Sequence, residues 1–199
     1  MRVIGLTGGI ACGKSNVSEA LRKTGIPVVD ADEISRELTA PNGAALEQIR
    51  EEFGDTVFLE NGTLNRKALG NLVFHDPQSL KKLNVILHPM IYREIMSRLE
   101  ALRENGEKLC VLEAPLLFET KMNRLCNTVW CVVVPYREQI RRLMARDNLT
   151  KKQAAERIHS QYPGWLRSLR SDVRINSEGT HEETQQKALQ LLQREWHRA

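Results

Sequence analysis

Residues 8–15 read Gly-Gly-Ile-Ala-Cys-Gly-Lys-Ser and directly follow the apolar run Val3-Ile4-Gly5-Leu6. A G-x-x-x-x-G-K-S pattern between a predicted strand and a predicted helix is a phosphate-binding loop. Gly8 and Gly13 permit backbone angles that a side chain would forbid. Loop N–H groups can then turn inward around an anion, and the helix starting near Lys14 adds the positive end of its dipole. Lys14 has the reach for the β- and γ-phosphates, and the Ser15 hydroxyl can bind Mg²⁺. The segment Gly8, Gly9, Ile10, Ala11, Cys12, Gly13, Lys14, Ser15 and Asn16 is therefore expected to hold a nucleoside triphosphate. A chance Gly-rich turn would not bring Lys, Ser and the strand–turn–helix context together.

Other residues suggest what is done with the nucleotide. Asp30 and Asp32 close a second short strand, Val28-Val29, at the carboxyl edge where open α/β sheets bind ligands. Asp32 is the candidate to orient an acceptor hydroxyl and take its proton. Asp30 has a competing role, because Asp30-x-x-Glu33 also reads as a helix cap. Glu113 ends a later strand, where it would sit near Mg²⁺ or be an ordinary strand-end charge. Arg142 and Arg146 are four apart and share a helix face. Arginines suit the oxygens of a transferring phosphoryl group, and a lid carrying them would exclude water. The alternative for them is a solvated helix face. Cys12, beside Lys14 and a helix N-terminus, is expected to have a lowered pKa.

The elements that must position these groups follow from periodicity. Val3–Leu6, Val28-Val29, Leu109–Leu112, Thr128–Val134 and Arg174-Ile175 read as strands. Thr128–Val134 is apolar on both faces, as in a buried parallel strand. Helices are expected from Lys14 to about Lys23, over Arg137–Arg146 and Lys151–His159, and over Gln185–Trp196. Between residues 33 and 106 there is little strand signal. Helical patterns there cover Ile34–Leu38, Ala44–Phe53, Arg66–Phe74, Ser79–Leu87 and Ile91–Asn105. Turn chemistry separates them, including a turn at His88-Pro89 with the proline opening the next helix. The fold class is thus α/β: a phosphate-loop NTPase-type parallel sheet flanked by helices, with a helical insertion suited to a second substrate.

Composition sets bounds on the partners. The chain has 199 residues, 41% hydrophobic and 27% charged, with a formal net charge of +4. That is globular rather than disordered, and too weakly basic to require nucleic acid. No apolar stretch approaches the ~20 residues of a membrane span, and no signal-peptide pattern is present. The expectation is a cytoplasmic protein acting on small molecules, with no nucleic-acid or membrane partner, as a monomer or weak homo-oligomer. Four cysteines occur without C-x-x-C spacing or a nearby histidine pair, so no zinc site is expected.

On these residues the sequence resembles the dephospho-CoA kinase family. Thr7–Ser15 is similar to that family's phosphate loop, and Asp30-Ala31-Asp32-x-Ile34-x-Arg36 to its acceptor motif. Gly62-Thr63-Leu64-Asn65-Arg66-Lys67, Val73-Phe74, Leu83-Asn84 and His88-Pro89 resemble its substrate-side helices. Ala114-Pro115-Leu116-Leu117-Phe118-Glu119 resembles its Pro-Leu-Leu-Phe-Glu segment, and Gln139–Asp147 the start of its lid. The matches run from residue 3 to about 161. The resemblance implies transfer of the γ-phosphoryl of ATP to the ribose 3′-hydroxyl of dephospho-CoA, with Mg²⁺. It implies a nucleotide-binding core (1–32, 107–136 and 161–199), a CoA-binding insertion (33–106) and a lid (137–160). Asp32, Lys14 and Arg142 would then be catalytic. Arg146 would bind nucleotide, and Ser15 and Glu113 would serve the metal. Asp30, Asp32, Arg36, Leu116, Leu117 and Glu119 would line the acceptor pocket. The chain departs from the family pattern where Ala11-Cys12 replaces Gly-Ser, at Asn16 and Asn65, and where Ser177 stands in an Asn place. The rival readings are another small-molecule phosphate-loop kinase resembling shikimate kinase, or a nucleotide-dependent switch or nucleic-acid ATPase. The second lacks an Asn-Lys-x-Asp motif and a basic aromatic face.

Overall fold

The computed structural model describes residues 1–199. The chain divides into two compact units, Met1–Val29 with Leu102–Ala199, and Asp30–Ala101.

The first unit is built on five strands: β1 (Arg2–Gly8), β2 (Val28–Asp30), β3 (Leu109–Glu113), β4 (Thr128–Val133) and β5 (Val173–Asn176). They lie in the order β2-β3-β1-β4-β5. β1 runs parallel to both β3 and β4, with Ile4 opposite Val111 on one side and Thr128 on the other. A central strand has both faces covered, so β1, β3 and β4 are almost wholly buried. Helices α1 (Lys14–Arg22) and α9 (His181–Trp196) bring Val17, Leu21, Ala188 and Leu192 into one core with Ile4, Leu6, Val111, Trp130 and Ile175. Each large side chain buried there contributes about 1.5–3 kcal/mol. Gly5 is required by this packing, since a Cβ there would meet Cys126 Sγ at 2.7 Å. The expected stripe on α1 is observed, with Val17, Ala20 and Leu21 all buried.

Helices α6 (Tyr136–Asp147) and α7 (Lys151–His159) pack through Ile140, Leu143 and Ala154, with Ile10 and Ala11 against that cluster. Thr150 and Gln153 form a capping box that opens α7. A short helix α8 (Gly164–Leu169) had no counterpart in the sequence pattern. α9 begins four residues before the expected start, because Thr180 and Glu183 close a second capping box.

The second unit carries α2 (Ala31–Leu38), α3 (Leu46–Phe53), α4 (Arg66–His75) and most of α5 (Pro77–Glu104). Ala45, Ile49, Val57 and Leu69 form its core, with Leu38, Phe53, Leu83 and Met90 packed on them. Two expectations fail here. α5 runs unbroken through Pro89, whereas the sequence pattern places a turn at His88-Pro89. An interior proline costs about 3 kcal/mol, and a 28-residue helix retains its remaining hydrogen bonds on either side. The second concerns Asp32, and its cause lies at Asp30, for which a helix cap is one of the two expected roles. Asp30 is the N-cap of α2, and its carboxylate accepts the Asp32 and Glu33 N–H groups at 2.8 and 3.2 Å. Asp32 therefore lies in the first turn of a helix and not on an extended strand end.

Candidate active site

Strand β1 ends at Gly8, which pairs with Val132 at the carboxyl edge of the sheet. The chain then turns through Ala11 and Gly13, both in the left-handed region at φ 58 and φ 85. Gly13 adopts this angle freely, whereas Ala11 does so at a cost of about 1–2 kcal/mol. Here the replacement of the family's glycine has a physical consequence. α1 starts at Lys14 with no acidic residue in its first turn, so the positive helix end is left for an anion.

The loop is held from behind. Gln139 donates to the Ile10 carbonyl at 2.7 Å, and Gln161 accepts the Ile10 N–H at 2.8 Å. Ser177, buried at the end of β5, donates to the Cys12 carbonyl at 2.7 Å. Arg142 donates to the Ser177 hydroxyl at 3.2 Å and to its carbonyl at 2.6 Å, while its Nε meets Glu138 at 2.8 Å. Arg141 and Arg142 together hold the Glu138 carboxyl down to about 2. Gln139 and Ser177 stand in segments that resemble the family's motifs, but their bonds to the loop gave no signal in the sequence, and Gln161 and Arg167 gave none at all. Each acts through a partner far away along the chain.

Glu113, 4% exposed, is the electrostatic anchor of the loop. One carboxylate oxygen pairs with Lys14 Nζ and the other accepts from Ser18 Oγ. An Arg22 nitrogen stands 3.9 Å from the second oxygen. Glu113, expected at the metal, is thus committed to Lys14 and Ser18. Ser15 is exposed in the first turn of α1, which fits a hydroxyl ligand to Mg²⁺. No group of three or more His, Cys, Asp or Glu side chains could hold a metal on its own. A Mg²⁺ site here would depend on phosphate and water oxygens.

The remaining expected residues are placed as follows. Arg142 reaches the loop, with Nη1 3.7 Å from a Cβ position on Gly13. Arg146 does not. Both its fork nitrogens bond Asp147, which also takes Arg157 at 2.7 Å. Asn16 bonds the His181 carbonyl and Gln185, so its side chain ties α1 to α9. Cys12 is buried, and burial pushes its thiol pKa up, against the backbone bond to Gly9 and the nearby Arg167 and Arg142 charges. The expectation of a lowered value is therefore corrected. Leu117 is wholly buried, with its methyl 2.9 Å from a Cβ position on Gly5. It is a core residue, whereas Leu116 is 47% exposed. Glu119 accepts from Arg167 at 3.3 Å. In the second unit, Asp32 and Arg36 are exposed and one helical turn apart, so they share a face of α2. The Arg36 carbonyl accepts from Arg66 at 3.0 Å.

This arrangement brings Lys14 and Ser15 together at the start of α1 beside the left-handed turn at Ala11 and Gly13, with Arg142 of α6 next to Gly13. Residues 2–183 match the family described as dephospho-CoA kinase. The dephospho-CoA kinase of Shouchella clausii is 42% identical over 194 residues, covering 98% of this chain and 98% of that protein. The crystal structure of TT1252 from Thermus thermophilus superposes with a TM-score of 0.81 at 34% identity, covering 98% and 97% of the two chains. A shikimate kinase from Acinetobacter baumannii reaches 0.55 at 20% identity, over 98% and 94% of the chains. That likeness is one of fold.

Proposed function

This chain belongs to the dephospho-CoA kinase family, and from that premise we propose that it transfers the γ-phosphoryl of ATP to the ribose 3′-hydroxyl of dephospho-CoA. The products are CoA and ADP, in the last step of CoA biosynthesis. The observation that carries the reading is the complete phosphate loop over the central strand, with Lys14 poised on buried Glu113.

In the reaction the 3′-oxygen attacks the γ-phosphorus, the bond to the β,γ-bridging oxygen breaks, and the hydroxyl proton leaves to Asp32. Lys14 moves from Glu113 to the β- and γ-phosphates, and the loop N–H groups cradle them. Arg142 places positive charge where the transferring oxygens gather it. Mg²⁺, when bound, neutralises charge on the β- and γ-oxygens, and Ser15 is the side chain that would hold it. We assign residues 33–106 to the acceptor and residues 137–160 to a lid that excludes water. We assign the reaction to the cytoplasm.

The test is ADP release from ATP and Mg²⁺ with and without dephospho-CoA, with the product identified by mass. ADP matched mole for mole by CoA is expected. ADP release that ignores dephospho-CoA would remove the assignment.

A further inference from the structure

Beside Gly9 lies a cavity of about 590 Å³, bounded by Gly9, Cys12, Tyr136, Gln139, Tyr162 and Arg167 among others. Arg167, on α8, is 2% exposed. Its side chain makes one hydrogen bond, from Nη2 to Glu119 at 3.3 Å, and its Nε is buried without a partner. The guanidinium lies 5.9 Å from the centre of the Tyr162 ring. Its Nη1 is 3.4 Å from a Cβ position on Gly9, so a cation abuts the first turn of the phosphate loop.

A guanidinium carries five N–H donors in a rigid fork. Buried polar groups in folded proteins are almost always satisfied, and an exception calls for a ligand or water. Burying a cation with donors unspent is costly unless something else repays it. Glu119 supplies one weak contact, which leaves the fork under-used. The fork's geometry matches phosphate oxygens bidentately, and the wall it shares with Gly9 belongs to a phosphate-binding loop.

We propose that Arg167 is a further substrate-binding residue, whose fork takes phosphate-ester oxygens of a substrate seated in the cavity beside Gly9. Glu119 is its positioning residue: it fixes the guanidinium and balances its charge while no substrate is present. The inference rests on the kinase reading. The phosphate belongs either to the terminal group of ATP or to the diphosphate of dephospho-CoA, and both offer the same oxyanion.

The test compares the wild-type protein with Arg167→Lys and Arg167→Gln, titrated calorimetrically with ADP, a non-hydrolysable ATP analogue and dephospho-CoA, each alone. Weakening of the ATP analogue by at least tenfold, with ADP within twofold of wild type, assigns the fork to the terminal phosphate. Weakening of dephospho-CoA by the same factor, with both nucleotides unaffected, assigns it to the acceptor. Affinities within twofold of wild type for all three probes overturn the proposal. Equal losses for all three, ADP included, mark a merely structural arginine and overturn it as well. Should both variants fail to fold, the Arg167 Nε–H resonance of the wild-type protein decides. It should shift on saturation with the ATP analogue or with dephospho-CoA, and no shift with either overturns the proposal. Wild-type protein that makes no CoA would sink the kinase reading. Wild-type protein that makes CoA, with variants that bind and turn over normally, would sink this inference alone.

Discussion

Replacing Glu113 by Gln should destabilise the nucleotide-free protein far more than a one-atom change suggests. The carboxylate side chain is 5% exposed and Lys14 is 14% exposed. Breaking a pair this buried by removing one charge costs about 3–5 kcal/mol, because the partner charge is left uncompensated. Glutamine keeps an acceptor for Ser18 Oγ, so the loss falls on Lys14 and the nearby Arg22. In a chain of this size 1 kcal/mol shifts the melting temperature by about 2–4 °C. The expected drop is then at least about 6 °C and at most about 20 °C by the same conversion. ATP should recover part of it, since its phosphates supply the anion that Lys14 lacks. The increment from a ligand is RT ln(1 + [L]/Kd), about 2.7 kcal/mol at a hundred times Kd, and in the variant ATP binds without drawing Lys14 from Glu113, so at one common ligand concentration its increment should exceed that of the wild type. The assay is thermal unfolding of both proteins, with and without a non-hydrolysable ATP analogue. A nucleotide-free variant melting within about 2 °C of wild type, less than 1 kcal/mol is worth, would refute Glu113 as the anchor of Lys14.

Asp32→Asn should lower turnover by about 10²–10⁴-fold, the usual contribution of a general base, with ATP affinity unchanged in a binding titration. Near-normal turnover would exclude it as the proton acceptor. Arg142→Ala should slow transfer by about 10²–10³-fold with a smaller effect on ATP binding; a change confined to KM would make it a ground-state binding residue. Arg141 and Arg142 hold Glu138 at about 2, below its ordinary 4.5. Its stabilisation is complete above pH 4.5 and is lost as pH falls through about 2, so urea titrations across that window should show a shallower pH slope for Glu138→Gln. Burial raises the Cys12 pKa, which lowers its thiolate fraction at neutral pH. Iodoacetamide should therefore label Cys12 more slowly than a free thiol at pH 7.5, and faster labelling would contradict the buried placement.

Much of the site was readable because its logic is local. The glycines, Lys14 and Ser15 lie within eight consecutive residues, and their spacing alone dictates a strand, an anion-binding turn and a helix start. The buried strands were readable for a similar reason: covering on both faces demands unbroken apolar runs such as Val129–Val133. The capping role of Asp30 was visible as an alternative, and the bonds to the Asp32 and Glu33 N–H groups establish it. Local rules misled at Pro89, where the helix pattern on both sides outweighs one lost hydrogen bond. They misled again at Cys12, where burial outweighs the loop's positive field.

The pairings that hold the loop in place were not readable. Ser177 meets Cys12 across 165 positions, Gln161 meets Ile10 across 151, and Glu119 meets Arg167 across 48. Neither periodicity nor spacing records such approaches, because each arises only once the sheet has set β1 beside β4 and β4 beside β5. Sequence alone marked the segment, residues 8–15, whose residue types and spacing suit a phosphate chain. Tertiary structure decided which distant side chains brace that loop, which arginine reaches it and which carboxylate holds its lysine, since those choices depend on which faces are buried together.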